Sequence, residues 1–288
     1  MTFKVRGGAH AGLAARGEGM SVASAEAGAT RPFAAAMLNK VPEVTLLFWL
    51  VKMMSTTVGE TGADLLSMTL GWGMPLTSVL VTVLLIVALV AQFRAREYRP
   101  GRYWTVVVLI SVAGTLISDM LVDMAGVPLL TTTIVFAVAL TVVFGVWWLQ
   151  ERTLSIHTIN TRRREAFYWA AILVTFALGT SGGDYLGETL QFGYGLSALV
   201  FLSAVLLIAF LHFGFKLNAV FAFWTAYILT RPLGASLGDL LSQPVADGGL
   251  GLGTIPVSLV FLGCIFAAVA WFRWDARRKS IEITYVTA

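Results

Sequence analysis

Asp64, Asp119, Asp184 and Asp239 occupy the same place in four apolar stretches of the chain. A carboxylate in hydrocarbon costs about 2.5–3.5 kcal/mol on insertion scales, so it is kept where it carries a proton, meets a cation or faces water. Glu60 precedes Asp64 by four residues, Asp123 follows Asp119 by four, and Glu188 follows Asp184 by four. That step puts both carboxyls on one helix face, one turn apart. At low dielectric two such groups do not both ionise; one holds a proton, or a cation lies between them. Against these seven acids the same stretches hold two bases, Lys52 and Arg231. The bases read either as internal counter-ions or as static salt-bridge partners, and an excess of acid is left for protons or cations. Oxygen ligands favour hard ions such as Mg, Mn or Ca. Asp64, Asp119, Asp184 and Asp239 are therefore also candidate metal ligands, with a hard divalent cation as the one candidate cofactor. His10 and His157 lie outside the apolar stretches and His212 at the end of one, so an imidazole-rich site is not expected.

The elements that position these groups must be membrane spans. Of 288 residues, 57% are hydrophobic and 12% charged; soluble proteins carry about 25% charged residues. This excludes a soluble globular enzyme, a disordered chain and a nucleic-acid groove built from charge. The single cysteine, Cys264, excludes an internal disulfide. Eight segments reach the ~20 residues a bilayer needs: 44–69, 77–95, 103–124, 129–149, 166–190, 195–214, 218–242 and 254–273. The odd-numbered segments carry the Gly, Ser, Thr and acidic residues and read as the working interior. The even-numbered ones are nearly pure Val, Leu, Ile, Ala and Phe and read as lipid-facing. Of the 20 Lys and Arg, 18 flank the spans on one side, which makes both termini cytoplasmic by the positive-inside rule. Residues 1–40 lack a signal-peptide h-region and are expected to form a disordered cytoplasmic tail, with Met20 and Met37 as alternative starts.

A fourfold repeat underlies the pattern. Trp49, Trp104, Trp169 and Trp224 each follow an aromatic residue: Phe48, Tyr103, Tyr168 and Phe223. Ten residues after each Trp stands Gly59, Gly114, Gly179 or Gly234. Fifteen after it stands the aspartate, about 22 Å along a helix at 1.5 Å per residue. The motif is [FY]-W-x9-G-x3-small-D-x-L, ungapped in all four copies. The glycine and the small residue four places on form a small-xxx-small step, which lets helix backbones approach closely in lipid. The tryptophans are expected as anchors at the headgroup level. Each repeat is one odd plus one even helix, so all four run parallel, with a pseudo-symmetry axis along the membrane normal. The divisions are 41–99, 100–160, 161–216 and 217–275, followed by a cytoplasmic tail over 276–288.

The tryptophan-centred repeat resembles a family of uncharacterised bacterial multi-pass membrane proteins built from four tandem repeats, each with two transmembrane stretches and a characteristic tryptophan. The resemblance covers about residues 40–275. It implies an all-α integral membrane fold in a bacterial inner membrane and no defined chemistry. The residues favour a transporter or channel for a cation. Proton-coupled carriage of an organic solute, with Trp49, Trp104, Tyr185 or Tyr194 lining the pocket, and a non-transport scaffold or sensor are the alternatives. An enzyme is not expected, since no Ser–His, Cys–His or His–Glu constellation lies within the spans. The expected partners are the lipid bilayer and the transported cation or solute, and no nucleic acid.

Overall fold

The computed structural model describes residues 39–287; residues 1–38 of the expected tail lie outside them. Among the described residues eight α-helices follow one another: α1 (Leu46–Asp64), α2 (Met74–Phe93), α3 (Pro100–Asp119), α4 (Leu129–Glu151), α5 (Arg162–Asp184), α6 (Gly193–Phe215), α7 (Ala219–Ser242) and α8 (Thr254–Thr287). No strand occurs among the described residues. Local chemistry sets the boundaries. The hydroxyls of Thr45 and Thr161 cap α1 and α5 by accepting from the N–H of Phe48 and Arg164. Asn218 caps α7 toward Val220 and Phe221. α2 and α3 carry proline in the first turn, where its missing N–H costs nothing.

Four helices form an inner ring: α1 packs on α3, α3 on α5, α5 on α7, and α7 back on α1. The other four form a sheath. Each lies against the ring helix that follows it, α2 on α3, α4 on α5 and α6 on α7, and α8 closes the circuit on α1. Among the described residues six helices (α2, α3, α4, α5, α6 and α8) are long and apolar enough to cross a membrane. α1 and α7 fall short of that measure. They carry Lys52, Glu60 and Asp64, and Arg231 and Asp239, amid small and polar residues. The sheath leaves Val83, Leu84, Ile86 and Val87 of α2, and Leu199, Leu206, Leu207 and Phe210 of α6, exposed. A water-soluble monomer does not carry such apolar faces, so the sheath fits a lipid surroundings.

Two contacts recur around the ring. The aromatic residue before each tryptophan packs on the tryptophan of the next repeat: Phe48 on Trp104 (5.7 Å between ring centroids), Tyr103 on Trp169 (5.4 Å), Tyr168 on Trp224 (6.1 Å) and Phe223 on Trp49 (5.7 Å). This corrects the expectation that the tryptophans are interface anchors. Trp104, Trp169 and Trp224 are buried and Trp49 is half-buried; their rings close the core at one end of the bundle. The motif glycines make the second contact. A Cβ on Gly59 would overlap Ser111, on Gly114 Phe176, on Gly179 Arg231, and on Gly234 Thr56. Each glycine thus admits the next ring helix, as the small-xxx-small reading requires.

Lys40, expected to end a disordered tail, is buried. Its Nζ donates to Glu165 Oε2 at 2.6 Å, and Gln92 Nε2 donates to the other carboxylate oxygen at 3.2 Å. The tail reading failed because the partner lies 125 residues away. At the other end, α8 carries the helix on through the segment expected as a second tail.

Candidate functional site

Asp64, Asp119 and Asp184 each end a regular α-helix. The next five residues wind as a π-helix in all three: Leu65–Thr69, Met120–Met124 and Tyr185–Thr189. The wider turns close with bonds from residue i to i−5: Leu70 N–H to Leu65 (2.8 Å), Ala125 to Met120 (3.0 Å) and Leu190 to Tyr185 (3.0 Å). Such turns are rare and concentrate at functional sites. The fourth copy stays α-helical through Ser242. Pro244 stands there in the register of Thr69, Met124 and Thr189 and has no N–H for a widened turn.

The seven acids gather at this aspartate end in order of depth. Asp123 and Glu188 are exposed, Asp64, Asp119 and Asp184 half-buried, and Asp239 and Glu60 buried. They act on one another. Asp119 interacts electrostatically with Glu60, Asp64 and Asp123, and Asp184 with Glu60, Asp119, Asp239 and Glu188. Gln243 donates to Asp64 Oδ2 at 3.1 Å. Asp64 also lines an open cleft of about 400 Å³ with Met68, Gln243 and Thr254. Yet among the described residues no three carboxylates, imidazoles or thiols come close enough to hold a metal ion. Asp64, Asp119, Asp184 and Asp239 therefore do not form the joint metal site considered from the sequence. Each stands on its own ring helix, and the ring is wider than the ~2–2.6 Å bonds a hard cation makes.

Beneath this vestibule Arg231 is fully buried and ties the ring together. Its Nη2 reaches Glu60 Oε2 on α1 (3.0 Å), Thr115 Oγ1 on α3 (2.5 Å) and Thr180 Oγ1 on α5 (2.6 Å). Nε and Nη1 have no hydrogen-bond partner among the described residues. Its salt bridge to Glu60 is the contact that both roles open to Arg231 require. Lys52 differs. It too is fully buried, but no carboxylate lies within 4 Å of Nζ among the described residues. It donates instead to the Tyr227 carbonyl (3.0 Å) and Thr230 Oγ1 (2.5 Å), over the rings of Tyr227 (4.6 Å) and Phe176 (5.6 Å).

A repeat of unknown function, DUF347, matches four times, over residues 47–98, 102–153, 167–217 and 222–278. The chain belongs to the DUF347 family. No curated protein and no solved structure shows significant similarity to it.

Each DUF347 repeat is one ring helix and one sheath helix, and its register shows which site residues were within reach. Eleven places after the tryptophan stand Glu60, Thr115, Thr180 and Ala235. Only Glu60 stands out by type, but Thr115 and Thr180 converge on the same guanidinium. Seven places after it, Arg231 aligns with Thr56, Ser111 and Phe176. Tyr227, Thr230 and Gln243 carried no signal beyond this alignment.

The same DUF347 register explains a groove of about 710 Å³ lined by Trp49, Met53, Ala209, His212, Phe223 and Thr230. Near the end of each sheath helix, Gln92, Trp147, His212 and Phe272 are equivalent once the longer last loop is allowed for. Gln92 bonds Glu165, Trp147 packs on Trp224 (5.8 Å) and Phe272 stacks on Trp104 (6.4 Å). These three close their seams. His212 instead turns back to the carbonyl of Leu217 (2.8 Å), and the seam between α6 and α1 stays open.

Proposed function

We propose that this chain moves a cation, a proton or a hard divalent metal such as Mn or Mg, along the axis of its inner ring. In this reading all eight helices span a bacterial inner membrane with both termini cytoplasmic, and the four parallel repeats are related by a pseudo-fourfold axis along the membrane normal. The recurring contacts between each repeat and the next support that symmetry. The observation that carries the function is the vestibule of seven acids graded from exposed to buried, ending on the Glu60–Arg231 pair. Asp123 and Glu188 draw cations to the mouth, and Asp64, Asp119 and Asp184 pass them inward. Arg231 closes the axis by occupying Glu60, so conduction requires that pair to open. Three of the aspartates stand beside π-turns, which are frequent at functional sites.

The open groove beside Trp49 favours a second reading, proton-coupled carriage of an apolar organic solute entering between α6 and α1. Flux into proteoliposomes separates the two. Asp119→Asn and Asp184→Asn, verified as folded, are expected to cut ion flux at least tenfold without any organic solute present. Unchanged flux in both folded variants would sink the axial path, and ion flux that requires an added solute would select the carrier.

A further inference from the structure

The cleft beside Asp64 is built from two stretches of chain that carry no base. Its walls are the π-turn that follows α1 and the segment joining α7 to α8. No Lys, Arg or His stands between Lys52 and Arg94, nor between Arg231 and Arg273. Glu60, one turn from Asp64, is paired with Arg231. Asp64 has no such partner among the described residues. It accepts from the neutral amide of Gln243 at 3.1 Å, and Glu60 and Asp123 add further negative charge around it. A cleft of one sign concentrates ligands of the other.

Ser242 lines the same cleft and marks it as more than an acidic surface. It is 5% exposed, and its Oγ has no hydrogen-bond partner among the described residues. A serine in a helix commonly returns its hydrogen to the carbonyl four residues back. Ser67, at the same place in the first repeat, does so, donating to the Ala63 carbonyl at 2.7 Å. Ser242 makes no such bond to Gly238, although a buried hydroxyl without a partner is costly. The longer last loop holds this arrangement in place. The N–H groups of Leu250, Leu252 and Gly253 donate to the carbonyls of Leu240 (2.7 Å), Leu241 (3.0 Å) and Ser242 (3.2 Å). A Cβ on Gly249 would overlap the Gln243 carbonyl, so the loop lies directly on Gln243. The Thr69 and Thr254 hydroxyls bond each other across the cleft at 2.9 Å.

The size and the lining select the kind of cation. About 400 Å³ lies within the range of sites for small organic molecules. A hard divalent ion takes six or more oxygens at ~2.0–2.6 Å, and Asp64 is the one carboxylate on this lining. A primary ammonium carries one positive charge and three N–H donors. The Asp64 carboxylate, Ser242 Oγ and the Gln243 amide oxygen are acceptors for it, and Met68, Pro244, Ile255 and Pro256 offer apolar surface to a carbon chain. We infer that this cleft binds the ammonium group of a small primary amine, with Asp64 as counter-ion and Ser242 as acceptor. The site lies at the rim of the vestibule and does not depend on ion movement along the ring.

The test titrates the full chain in maltoside micelles with butylammonium chloride, binding being read by saturation-transfer NMR. Tetramethylammonium, which has the charge but no N–H, and butanol, which has the chain but no charge, are the comparisons. Butylammonium is expected to saturate, and both comparisons to bind at least tenfold more weakly. Ser242→Ala is expected to weaken butylammonium about tenfold, the usual loss for one hydrogen bond to a charged group. The same variant is expected to melt at or above wild type, because the hydroxyl it removes has no partner in the protein. Asp64→Asn is expected to weaken binding at least as much; should it fail to fold, Ser242→Ala carries the test. Failure of butylammonium to saturate, equal binding of tetramethylammonium, or unchanged affinity in folded Ser242→Ala would each overturn the site. Mn binding that requires Asp64, with no amine binding, would overturn it in favour of an inorganic ion.

Discussion

Arg231→Met is expected to destabilise the bundle by about 3–5 kcal/mol, the usual effect of removing one partner from a buried ion pair. The guanidinium is wholly buried and meets α1, α3 and α5 at once through Glu60, Thr115 and Thr180. Without it, Glu60 is a buried carboxylate whose remaining side-chain contact is the Thr115 hydroxyl at 3.3 Å. Adding Glu60→Gln to Arg231→Met removes that stranded charge and is expected to recover much of the loss, because replacing both partners of a buried pair is often close to neutral. Thermal unfolding of the detergent-solubilised protein, read as a double-mutant cycle, gives the coupling. A single variant that melts within a degree or two of wild type would mean that the pair does not hold the ring.

Gly114→Val is expected to prevent assembly of the ring. A Cβ at Gly114 meets backbone as well as side chain, with the Ala177 nitrogen and the Phe176 carbonyl carbon both at 3.1 Å. Backbone cannot rotate away as a side-chain tip can, so α3 and α5 must separate. Overpacking usually costs about 1–3 kcal/mol and occasionally more, and here the added bulk also displaces Phe176, which lies against Lys52 and Arg231. Gly145→Ala is the control: it lies in α4 with nothing within 4 Å of an added Cβ. Relative to Gly, Ala favours a helix by about 1 kcal/mol, so this variant is expected to match or exceed wild type. Yield of monodisperse protein and melting temperature distinguish the pair. Equal behaviour would remove the glycine step from the packing.

The glycines were legible in the sequence because a small residue repeated in apolar helices has few uses besides close approach. The tryptophans were not. A Trp serves equally at a headgroup interface and in a core, and the choice depends on which face the next helix covers. The aspartates were found by type, and their gathering at one end followed from the fifteen-residue register. Their failure to form a metal site did not, because the diameter of the ring is a tertiary property. The π-turns left no mark: LLSMT, MLVDM and YLGET share no residue pattern that demands a wider turn. Lys40 was misplaced for a similar reason. A lone charge near a terminus looks solvated until a distant carboxylate is folded over it.

The way the circuit closes sets a timetable for biogenesis. Of the described helices α1 emerges first from the ribosome and is among the least apolar, yet its sheath partner α8 emerges last of them. Glu60 waits 171 residues for Arg231. At 5–20 residues per second that delay is roughly 10–35 s. Through that interval α1 has neither its counter-charge nor its cover. In the membrane-spanning reading proposed above, a chain halted before α7 leaves Glu60 without its counter-charge, and α1 takes its final place only after α7 and α8 have been made.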